Sequence, residues 1–74
     1  MPLGVQLTQI EQIFVILDRL EISREDVVIP LRPHGSGNVK ALPNGKLEIV
    51  VPADVPFEQW YDSLEGTIRQ IYTP

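Results

Sequence analysis

A β-hairpin signal near the middle of the chain sets the tightest limit on how it can fold. Val39-Lys40-Ala41-Leu42 and Leu47-Glu48-Ile49-Val50-Val51 are two runs of strand-forming character, separated by Pro43-Asn44-Gly45-Lys46. Asn44-Gly45 offers two residues tolerant of positive φ, which predicts a hairpin over 39–51. A lone two-stranded ribbon is marginal in water, so the rest of the chain has to cover one of its faces.

Two helical patterns are available for that. Thr8-Gln9-Ile10-Glu11 has the form of a capping box and predicts a helix over 8–21. Its apolar face carries Ile10, Ile13, Phe14, Leu17 and Leu20, with Val15 outside it as a surface valine. After the hairpin, Asp54 and Pro56 suit a helix start. The segment 55–72 then brings Phe57, Trp60, Tyr61, Leu64, Ile68, Ile71 and Tyr72 onto one face, with Gly66 on the opposite one.

Between the first helix and the hairpin, Ser23 can cap a short turn, and the β-branched run from Val27 to Leu31 predicts a strand over 27–31. Pro30 cannot donate to a ladder, which places that strand at a sheet edge. Leu3, Val5 and Leu7 alternate within an N-terminal arm, 1–7, which reads equally as a short fourth strand or as a terminal arm.

The expected class is α+β, with elements in the order α-β-β-β-α. Short connections imply a three-stranded antiparallel meander of order 1-2-3 with both helices on one face. Double-stranded-RNA-binding domains share this order of elements. Such a domain would open its last helix with lysines, whereas that turn here reads Asp54-Val55-Pro56-Phe57-Glu58.

Composition narrows the function. Seventy-four residues, 43% hydrophobic and 22% charged, fit a single small globular domain, 1–74. With no cysteine and only one histidine, His34, the chain lacks disulfides, thiolate ligands and a histidine pair for a transition metal, so no metal or cofactor is expected. There is no basic leader and no apolar run near the ~20 residues that span a bilayer. A soluble, cytoplasmic protein with no membrane partner is expected. The net charge of −4 speaks against nucleic acid, whose phosphates call for clustered Lys and Arg.

Two sets of residues stand out. Within the loop 32–38, Arg32, His34, Gly35, Ser36 and Gly37 combine a cation, an imidazole, a hydroxyl and glycine amides that could receive an anion. Catalysis there is not expected, because no Asp or Glu lies between Asp26 and Glu48 to orient a base. The second set comes from strand alternation, which turns Val28, Leu42 and Val50 away from the helices as an apolar patch on an uncovered sheet face.

These features point to a non-enzymatic protein-interaction or accessory module that associates with itself through its sheet. A small-anion or ligand-binding domain using the loop is the alternative. A weak nucleic-acid binder using Arg32, Lys40 and Lys46 is the second. In a 1-2-3 meander the third strand, 47–51, is a bare edge, which predicts a symmetric homodimer unless the N-terminal arm covers it.

Overall fold

The computed structural model describes residues 4–72. Two helices, α1 (Leu7–Arg19) and α2 (Phe57–Ile71), pack on one three-stranded sheet made of β1 (Val27–Val28), β2 (Asn38–Ala41) and β3 (Leu47–Val50). The α+β class and the element order are as the sequence predicts.

The strand order is not. The sheet runs β1-β3-β2, with β1 parallel to β3 and β2 antiparallel to it, so it is mixed and not an antiparallel meander. Val27 lies beside Leu47 and Val28 beside Glu48, while Asn38, Val39, Lys40 and Ala41 face Val50, Ile49, Glu48 and Leu47. The physical reason lies in the strands themselves. β3 is the most buried of the three, with Leu47 and Ile49 buried and Glu48 and Val50 half-buried, so it gains most from neighbours on both sides. β1 carries Pro30 just beyond it and β2 carries Lys40, both suited to edges. The bare edge predicted at 47–51 therefore does not exist, and neither a dimer nor the N-terminal arm can pair there.

The core lies between the sheet and the helices. Ile13, Ile16 and Leu17 of α1, Leu64 and Ile68 of α2, Val39, Leu47, Ile49 and Val51 from the sheet side, and Ile22 are all buried. Each contributes about 1.5–3 kcal/mol through apolar burial. Val15 is exposed, as predicted, whereas Ile10, Phe14 and Leu20 are only half-buried and Ile16 takes their place. The guanidinium of Arg24, 4.4 Å from the ring centroid of Phe14, covers that ring from the solvent side.

The helix ends also differ in detail. α1 begins one residue before Thr8, with Gln6 at its N-cap, where the Gln9 side chain accepts from the Gln6 amide at 3.0 Å. A glutamine pair thus replaces the predicted Thr8–Glu11 capping box. At the other end Glu21 adopts φ 59°, Ile22 N donates to Leu17 O at 2.8 Å and Glu21 N to Asp18 O at 3.2 Å. That is a Schellman ending, and it folds Ile22 back into the core beside Leu17. α2 starts at Phe57 with Pro56 as its N-cap, so Asp54 is not the cap.

Two further predictions are refined. β1 is shorter than the strand predicted over 27–31. The hairpin turns through Pro43-Asn44-Gly45, with Gly45 N donating to Leu42 O at 3.0 Å and Leu42 N to Lys46 O at 2.7 Å. Only Gly45, at φ 85°, has positive φ, which is the three-residue loop with a glycine bulge and not a two-residue Asn-Gly turn. Of the arm, Leu3 lies outside the described residues and Leu7 belongs to α1. Val5 N donates to Leu31 O at 2.8 Å, which lays the arm beside the chain leaving β1.

Candidate functional site

The helix-free face of the sheet is assembled by alternation. Inward residues Val39, Leu47 and Ile49 fix the pleat, so Lys40, Glu48, Val50 and Val28 turn to the other side. Leu42 and Lys46, joined by the last rung of the hairpin, continue that side. Val28 is 39% exposed, and Leu42 and Val50 are half-buried.

These three predicted residues do share the face, but they do not touch as one patch. Glu48 stands opposite both Val28 and Lys40, and its carboxylate lies 3.5 Å from the Lys40 ammonium. The ion pair divides Val28 and Val50 from Leu42. Such an exposed pair contributes at most about 1 kcal/mol. It nevertheless sets the chemistry of the face: apolar flanks around a polar centre, with Lys46 adding a second positive charge.

The loop 32–38 is more firmly built than its composition suggests. His34 N donates to Val51 O at 2.9 Å, Gly35 O accepts from both Ala53 N and Asp54 N at 2.8 Å, and Gly37 N donates to His34 O at 3.1 Å. These bonds stitch the loop to the chain between β3 and α2. Gly37, at φ 81°, lies against Trp60 of α2, where an added Cβ would sit 2.7 Å from the indole Nε1 and 3.0 Å from Val50 O. Only glycine meets both demands.

The predicted anion-binding set is therefore split. The Gly37 and His34 amides already have acceptors, leaving those of Arg32, Gly35 and Ser36 as the other amides of the predicted set. Arg32 lines an open groove with Gly4, Leu31 and Pro33, and neither His34 nor Ser36 belongs to that lining. No hydrogen bond joins His34 to Ser36 or to a carboxylate among the described residues. Among those residues no cluster of three or more His, Asp or Glu could hold a metal ion, and no helix is long and apolar enough to cross a membrane.

Charge is distributed unevenly. Arg19 and Arg69 both engage Glu65, at 2.6 and 2.9 Å, and Arg24 engages Asp18 at 3.1 Å. Arg32 and Lys46 form no ion pair among the described residues. For nucleic acid that is a thin supply of phosphate contacts. The aromatic face of α2 is occupied internally: Tyr61 Oη donates to Gln12 O at 2.8 Å across the helix pair, and Phe57 packs against both Trp60 and Tyr61 with ring centroids 5.6 Å apart.

One structural feature lies outside what the sequence predicts, the outer edge of β2. Finding it required knowing that β3 is central, for which three apolar residues in Leu47-Glu48-Ile49-Val50 against two in Asn38-Val39-Lys40-Ala41 are too small a contrast. Compared with protein-family models, curated proteins and solved structures, the chain matches none.

Proposed function

We propose that this chain is a non-enzymatic protein-interaction module that engages its partner through the sheet, on the side away from the helices. The observation that carries the reading is the placement of Val28, Val50 and Leu42 around the Lys40–Glu48 pair on a face that neither helix covers. Apolar side chains with a small polar centre are what a modest protein interface presents. The Arg32–Asn38 loop serves this reading as a brace, since its hydrogen bonds hold the end of β3 in place.

Val50→Asp tests it. The change puts a second carboxylate beside Glu48 without touching the buried side of β3. A partner co-purifying from the native host should be lost with Val50→Asp and retained with Val15→Asp, which alters the exposed side of α1. Equal recovery with both variants would sink the reading. A second copy of the chain is one admissible partner, and sedimentation equilibrium at tens of micromolar reads that directly.

A further inference from the structure

The two edges of the sheet are not equivalent. β1 is two residues long, is followed by Pro30 and has the arm's Val5 bonded to Leu31 just past its end. β2 is twice as long and has no proline within it. Because Leu42 bonds to Lys46, the alternation of an antiparallel ladder points the amides and carbonyls of Asn38 and Lys40 toward β3 and those of Val39 and Ala41 away from it. Nothing among the described residues pairs with these outward groups.

Resting on the reading of the sheet as the interaction surface, we propose that the free edge of β2 accepts an extended peptide segment as a fourth strand, with an acidic residue opposite Lys40 and apolar residues opposite Val39 and Ala41. Main-chain hydrogen bonds to Val39 and Ala41 supply the attraction common to any strand. Charge supplies the choice. The exposed face beside this edge carries Lys40 and Lys46 against the single Glu48, a local positive excess on a chain of net charge −4.

The same lysine argues against a second copy at this edge. An antiparallel two-fold pairing of β2 with itself must centre on Val39, Lys40 or Ala41 to keep inner faces together. Every one of those registers brings the two Lys40 side chains either directly opposite or one diagonal step apart, a like-charge contact that opposes pairing. An acid on the incoming strand removes the conflict. Its neighbours in sequence then fall on the inner side, continuing the apolar surface of Val39, under which α2 packs.

The test is an amide-resolved NMR titration of the full chain with two blocked pentapeptides, Thr-Val-Glu-Val-Thr and Thr-Val-Lys-Val-Thr. Saturable shifts should centre on the Val39 and Ala41 amides, with the glutamate peptide binding about three- to tenfold tighter, as expected for a cross-strand charge pair. Ala41→Pro removes one outward donor at an edge position that tolerates proline, and should abolish the shifts. Lys40→Glu should invert the preference between the peptides. The edge assignment is overturned by the absence of saturable shifts, by equal binding of both peptides, or by a free chain that is dimeric with Val39 and Ala41 already protected from exchange. Val50→Asp reports separately on the face, so loss of the edge and loss of the broader reading are told apart.

Discussion

Gly37 and Gly45 share nearly the same φ, 81° and 85°, one in the loop before β2 and the other in the turn after it. Their surroundings have nothing in common. A Cβ at Gly37 would drive into Trp60 and the Val50 carbonyl, whereas at Gly45 nothing lies within 4 Å. Two loops that look alike as sequence are thus different kinds of object. The first is a brace fastened to β3 and α2, and the second is a solvent-facing turn whose shape depends only on its own residues.

Substitutions can separate the two. Gly37→Ala should destabilise the chain by about 2–4 kcal/mol, because left-handed backbone strain and overpacking act together. Gly45→Ala meets only the backbone term and should lose about 1–2 kcal/mol. Urea unfolding midpoints measure both, and equal losses would erase the distinction between brace and turn.

The helices provide a smaller test of the same logic in reverse. Glu21 occupies the left-handed position that ends α1, where glycine carries no Cβ penalty, so Glu21→Gly should stabilise by about 1 kcal/mol. Gly66 lies inside α2 with open space where a Cβ would go, so Gly66→Ala should raise stability by about 0.5–1 kcal/mol. A loss of stability on Gly66→Ala would mean that something approaches that turn of α2.

What the sequence made legible follows from local physics. The spacing of Ile13 and Leu17, and of Leu64 and Ile68, identified both helices, since a 3.6-residue period needs no knowledge of the partner. The pleat of the hairpin was equally readable, which is why Leu42 and Val50 do fall on the uncovered face, whereas Val28 reaches it through the parallel pairing with Glu48. The burial of Ile16 in place of Ile10 was not readable, because the helix is rotated toward α2 by contacts 45 or more residues away, including Tyr61 on Gln12. Nor was the strand order, since a short connection from β1 to β2 is compatible with either edge of β3. The brace loop escaped for a different reason: its ties are backbone hydrogen bonds, and these leave no mark on residue choice beyond the positive-φ glycines Gly35 and Gly37.

The parallel pairing of β1 with β3 also predicts an order in time. β2 and β3 close across a three-residue loop, while β1 meets β3 across about twenty residues, and loop-closure entropy grows with that length. The hairpin is therefore the local event and the docking of β1 the later one. During synthesis β1 and β2 both leave the ribosome before the strand that joins them, and they have no ladder with each other. Val27 and Ala41 wait, unpaired, for Leu47. A nascent chain that stalls before that residue has the edges of a sheet and no sheet.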